Sequence, residues 1–127
     1  MRLKNFSLSL GNQIFKSFSD ESRVRIMYLL FQNQEMCISD LELILDFTQT
    51  KTSRHLIYLK NAGLVTHRKY DQWAFYAIKE EISDIVGQLF KYLEKDPTLQ
   101  KDMDMFQQLS HNKELAVYKI NQRNEKK

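Results

Sequence analysis

Residues 48–78 read TQTKTSRHLIYLKNAGLVTHRKYDQWAFYAI, and this stretch decides the fold. Thr48 is a good N-cap, because its side-chain oxygen can accept a backbone N–H left free in a helix's first turn. From residue 49 to 62 the spacing predicts a helix with two faces. Thr52, Leu56 and Leu59 fall on the side that packs inward. Thr50, Ser53, Arg54 and Ile57 point elsewhere, with Gln49 and Lys51 in the first turn. Gly63 then stands where a left-handed residue ends a helix, with the apolar Leu64 behind it. Val65–Tyr70 and Trp73–Ile78 carry β-branched and aromatic residues and predict two strands, with Asp71-Gln72 as the turn between them. A short polar helix followed at once by a hairpin has the shape of a helix laid in a DNA groove with a wing beside it.

Upstream, Ser39 and Glu42 have the spacing of a capping box, and Ile38 and Leu43 that of a hydrophobic staple; together they predict a short helix through Leu45. Asp46-Phe47 is a tight turn from that helix to Thr48. Two short helices joined by a tight turn and followed by a hairpin make a winged helix-turn-helix, a mainly α fold with one small β-hairpin. Earlier still, Ile14, Phe15 and Phe18 repeat at helical spacing over residues 12–19. Asp20 caps a further helix bearing Val24, Met27, Tyr28, Leu30 and Phe31. Residues 1–10 read as irregular or as an arm. Downstream, Ile82, Ile85, Val86, Leu89, Phe90 and Leu93 form a strongly apolar helical stripe. Asp96-Pro97 ends that helix and opens another, with Asp as cap and Pro at the first helical position. Leu99, Met103, Phe106 and Leu109 carry the helical spacing on to a break near Ser110-His111-Asn112, and residues 121–127 read as a frayed charged tail. The expected organisation is one domain over 1–127, with 12–79 as a DNA-binding core and wing and 80–120 as C-terminal helices for dimerisation.

A chain of 127 residues buries one modest core, and 43% hydrophobic with 28% charged residues is a globular rather than a disordered composition. The longest apolar run, Met27-Tyr28-Leu29-Leu30-Phe31, is far short of a membrane span. The first residues lack the basic-then-apolar pattern of a secretory signal. A single cysteine excludes an internal disulfide framework and suits a reducing cytoplasm. The net charge of +3 is weak, but its distribution is informative. Residues 48–79 hold six Lys and Arg against one acid, a surplus of five, which leaves the remainder at −2. Positive charge is gathered on the segment shaped like a groove reader. Paired carboxylates, a nucleophile beside a base, and a phosphate loop are all missing at useful spacing, so an enzyme is not expected.

Four pieces, in order, resemble the ArsR family of small bacterial winged-helix repressors. Residues 15–26 are similar to its opening helices, Glu35-Met36-Cys37-Ile38-Ser39-Asp40-Leu41 to the segment entering its third helix, residues 48–56 to its recognition helix, and Asn61-Ala62-Gly63-Leu64-Val65 to the exit into its wing. The resemblance implies a homodimer that binds a palindromic operator in double-stranded DNA. It assigns DNA contact to Gln49, Thr50, Lys51, Ser53, Arg54 and His55. Gln and Arg can pair with base edges in bidentate fashion, while Thr, Ser and Lys suit phosphate oxygens. His55 either joins them or fills a polar niche at the domain edge. Arg68 and Lys69 on the wing suit phosphates as well. Asp71 departs from the basic or glycine-rich wing tip common in the family and argues against deep insertion of the wing.

Many members of that family leave DNA when a metal binds, through two cysteines at the positions here held by Cys37 and Ser39, or through acidic and His residues on the helix after the wing. One thiolate and one hydroxyl make a poor soft-metal site. Residues 80–95 contain no His, and His55, His67 and His111 show no ligand spacing. No metal or other cofactor is expected. Cys37 reads as a small buried hydrophobe, with a one-thiol redox sensor as the sharper alternative. For dimerisation the expected surface combines Ile14, Phe15 and Phe18 with Ile82, Ile85, Val86, Leu89, Phe90 and Leu93, unless the last helix covers that stripe within one chain. The alternative function is a winged-helix protein-interaction module without DNA binding, which would use exposed Tyr58, Tyr70 and Trp73.

Overall fold

A computed structural model describes residues 6–125. The first helix, α1 (Leu8–Ser17), starts where Ser7 Oγ accepts the Leu10 N–H at 3.0 Å. Part of the segment expected to be irregular is therefore helical, and residues 1–5 lie outside the described residues. Asp20 caps α2 (Glu21–Asn33) as the sequence predicts, accepting from the Arg23 N–H at 3.1 Å. A two-residue strand, β1 (Met36–Cys37), then leads directly into α3 (Ile38–Leu45).

That strand corrects the capping box expected at Ser39. Met36 and Cys37 pair antiparallel with Tyr76 and Phe75, which holds the chain extended through Cys37. The helix consequently begins at Ile38, Cys37 occupies the cap position with no side-chain bond to the helix backbone, and Ser39 lies inside the first turn. Asp46, at φ +56°, turns the chain toward α4 (Gln49–Asn61). The end of α4 is closed as its glycine predicts. Gly63 has φ +80°, and the Gly63 and Leu64 N–H groups donate to the carbonyls of Lys60 and Leu59, both at 3.0 Å.

The wing is the antiparallel pair β2 (Val65–Tyr70) and β3 (Trp73–Ile78), in the sheet order β1-β3-β2. Its two-residue turn needs a positive φ, supplied by Asp71 at +57°. A single 3₁₀ turn, Glu80–Ile82, leads to α5 (Ser83–Leu93), followed by α6 (Pro97–His111) and α7 (Ala116–Glu125). Asp96 accepts from the Thr98 N–H at 2.8 Å, confirming the Asp-Pro start of α6. Residues 121–125, read from sequence as frayed, continue α7, while 126–127 lie outside the described residues.

The core gathers around α2, whose Ile26, Met27, Leu29 and Leu30 are fully buried. Phe90 of α5 inserts among Phe18, Tyr28 and Phe31, with ring centroids at 5.3, 5.0 and 5.8 Å. Helix α6 joins the core through Leu99, and Arg25 of α2 donates to both oxygens of the buried Asp102 carboxylate at 2.9 Å. A second, smaller cluster unites Cys37, Phe75, Ala116 and Ile120, so α7 packs against β1 and the wing. Among the described residues, no helix is long and apolar enough to cross a membrane.

Candidate nucleic-acid interface

The inner face of α4 is set by Thr52, Leu56 and Leu59, all fully buried. The Thr52 hydroxyl donates to the Thr48 carbonyl at 2.8 Å, so its burial leaves no orphaned polar group. Thr48 Oγ1 accepts the Lys51 N–H at 3.1 Å and fixes the helix start. With the inner face pinned, Gln49, Thr50 and Arg54 stand exposed, and Lys51 and Ser53 are half-buried at the margins. The Lys51 ammonium sits 4.0 Å from the Phe47 ring centroid, which steadies it without neutralising it. Among the described residues, neither Lys51 nor Arg54 has a carboxylate within ion-pair distance.

Ile57 extends this outer face. It is 53% exposed and follows Thr50 and Arg54 at helical spacing. The sequence places it outward, but the resemblance gives it no role. The only signal that could have found it is a large apolar residue on the otherwise polar side of the helix.

His55 corrects the expected contact set. It falls on the arc of Thr52, Leu56 and Leu59 and is buried against the protein. Burial pulls its imidazole below the ordinary histidine value, the cations of Arg23, Arg54 and Lys51 act the same way, and Asp20 opposes them. Its burial favours the polar niche over a base or phosphate contact. Arg68 and Lys69, neighbours on β2, face opposite sides of the sheet. Arg68 lies over Phe75 and donates to both Glu35 oxygens at 2.7 and 2.8 Å. Lys69 is exposed and has no carboxylate partner among the described residues. The carboxylate of Asp71 is engaged by Arg123 of α7.

The expected dimer surface separates into two groups. Ile14, Ile82, Val86 and Phe90 lie in the chain's own core, where α5 packs against α2. Phe18, Ile85 and Leu89 are half-buried, whereas Phe15 is 63% exposed and Leu93 remains at the surface. Leu8 at 91% and Tyr92 at 88% are exposed apolar residues that the sequence reading did not single out. Of the aromatics offered for a protein-interaction module, Tyr70 is exposed as expected, and Tyr58 and Trp73 are not. Tyr58 lies half-buried under the Arg23 guanidinium, 4.1 Å from its ring centroid, and Trp73 packs against the smaller core cluster. Cys37 is buried, with its sulfur 3.2 Å from the Ser39 hydroxyl.

Residues 20–67 match the family model described as bacterial regulatory protein, arsR family. Over 76 residues the chain is 41% identical to the arsenical resistance operon repressor of Escherichia coli, a match covering 60% of this chain and 65% of that one. Over 78 residues it is 35% identical to the arsenic resistance transcriptional regulator ArsR2 of Pseudomonas putida, covering 61% and 68%. The chain belongs to the ArsR family. A solved structure of the transcriptional regulator HlyU from Vibrio vulnificus is similar too, with a TM-score of 0.58, 31% identity, and coverage of 65% of this chain and 85% of that one. The ArsR-family chain spans 61% of the length of ArsR1 of Pseudomonas putida and 65% of the Escherichia coli repressor. The relatives it matches are named as transcriptional regulators, and the matched family segment ends within β2, before α5, α6 and α7.

Proposed function

We propose that this ArsR-family chain is a sequence-specific DNA-binding repressor, acting in the cytoplasm as a homodimer on a palindromic operator. The outer face of α4 carries the proposal. Gln49 and Arg54 present bidentate chemistry to base edges, Ile57 suits a thymine methyl, and Thr50, Ser53 and Lys51 suit the phosphates that set register. Lys69 is the wing cation available for a further phosphate, since Arg68 reaches one only by giving up Glu35. His55 supports the helix from beneath.

The DNA-binding core is 12–79, as the sequence suggests, but dimerisation falls to a narrower surface than the whole of 80–120. Leu8 and Phe15 of α1 and Tyr92 and Leu93 of α5 are the exposed apolar residues, with Phe18, Ile85 and Leu89 half-buried, that a second copy would cover. Two-fold symmetry then sets the α4 helices about 34 Å apart, one turn of DNA. Relatives are named for arsenic and cadmium resistance, but the donor set of this chain does not support a like metal response. Cys37 and Ser39 offer one thiol and one hydroxyl where a soft ion wants several thiolates or imidazoles, and α5 contains no His.

Selection of bound sequences from a random duplex pool tests this reading. The expected result is a palindrome, with affinity that falls steeply with salt at a log–log slope of about −0.9 per phosphate contact. No binding at any salt would instead favour a protein-interaction module. Release of the selected duplex by micromolar zinc, cadmium or arsenite would overturn the metal-free part of the proposal.

A further inference from the structure

Helix α7 is tied at both ends. At its start, the Ala116 N–H donates to both oxygens of the buried Asp40 carboxylate on α3, at 3.1 Å each. Ala116 and Ile120 bury their side chains against Cys37 and Phe75. At its far end, Arg123 Nη1 donates to the Asp71 carboxylate and, at 3.0 Å, to Gln72 Oε1. The neighbouring Asn124 amide reaches the Tyr70 hydroxyl at 3.4 Å, and the Arg123 guanidinium lies 5.9 Å from the Trp73 ring centroid. Two adjacent α7 residues thus meet all four residues of the wing's turn.

The chemistry at that tip poses a problem that α7 answers. Asp71 holds the left-handed turn position at φ +57°, where Asp is tolerated for its backbone geometry, but its charge would oppose a phosphate backbone. We propose that α7 is a working part of the DNA-binding wing, with Arg123 cancelling the Asp71 carboxylate so that the tip meets the duplex without a net negative charge. Arg123 is a positioning residue in this role, acting through Asp71. The Asp40 anchor on α3 ties the start of α7 to the helix-turn-helix that carries α4, so α7 links that unit to the wing tip. The inference rests on the DNA-binding reading above.

The test is a charge cycle measured on the selected duplex with the full chain. Wild type must first bind; if it does not, the DNA-binding reading fails and this inference falls with it, whereas binding by wild type isolates the question of the tip. Arg123→Gln is expected to weaken binding about fivefold per wing at low salt, the factor for one unit charge about 4 Å from a phosphate in water. The deficit is expected to narrow as salt screens exposed charges. Asp71→Asn alone should bind at least as well as wild type, and Asp71→Asn with Arg123→Gln should return to near wild-type affinity. Arg123→Gln binding like wild type would overturn the inference. So would a double variant as weak as Arg123→Gln, because α7 would then act by packing alone. Thermal melts of all four proteins verify that the comparison is between folded chains.

Discussion

Arg54 and Lys69 carry the same charge but stand in different places, and their substitution should read out differently. Arg54 projects from the outer face of α4, so Arg54→Ala is expected to cost about 1–3 kcal/mol of binding and to relax preference at one base pair. Lys69 lies on the wing, so Lys69→Ala should weaken all duplexes alike and lower the salt slope by about 1. Parallel titrations of the operator and of a scrambled duplex separate the two outcomes. His55 makes a prediction about pH instead. Its folded value is pulled below the ordinary 6.5, so the unfolded chain takes up a proton more readily than the folded one. Its contribution is therefore fully present above about pH 6.5 and is lost as pH falls through the lower, folded value. Urea unfolding at pH 7.5 and 5.5 should show reduced stability at the lower pH, with a smaller difference for His55→Asn. A residue's side of a helix is legible from spacing, and spacing alone groups His55 with Thr52, Leu56 and Leu59. The family resemblance drew it outward; packing returned it to the inner face.

The ends of α4 depend on two residues that the sequence announces by type. Thr48→Ala is expected to cost about 1 kcal/mol through the lost cap, while Thr48→Ser should be nearly neutral. Gly63→Ala forces a Cβ into the left-handed region at φ +80° and should cost about 1–2 kcal/mol, although open space surrounds it. Urea midpoints at constant m-value check both. These features were readable because cap, glycine stop, two-residue turn and Asp-Pro start are local: each needs only neighbours within a few residues. Strand β1 was not readable for the opposite reason. Two residues make a strand only because β3, nearly forty positions later, offers an edge to pair with. The Ser39 capping box failed with it, since pairing at Cys37 moved the helix start. Helix α7 was missed because most of its residues are polar, and only two of them, Ala116 and Ile120, are buried.

Across the whole molecule, the apolar stripe of α5 illustrates what a sequence pattern leaves open. A strongly apolar helix must bury its stripe, but the pattern does not say whether against its own chain or a second copy. Phe90 is enclosed by Phe18, Tyr28 and Phe31, so Phe90→Ala is expected to cost about 3–5 kcal/mol in a monomer-stability measurement. Phe15 faces outward, so Phe15→Glu should leave unfolding of the single chain almost unchanged while shifting light scattering toward monomer and weakening operator binding. If both variants lose stability equally, the division between core and dimer face is wrong. By itself, the sequence determined the winged helix-turn-helix, the polar outer face of α4 and the gathering of charge on residues 48–79, because periodicity, caps and turn chemistry are local and additive. Only the tertiary structure decided that His55 is inside, that Arg68 is held by Glu35, that half of the α5 stripe belongs to the chain's own core, and that Arg123 reaches Asp71. Each of those outcomes depends on which distant segment arrives beside it, and packing in three dimensions alone settles that.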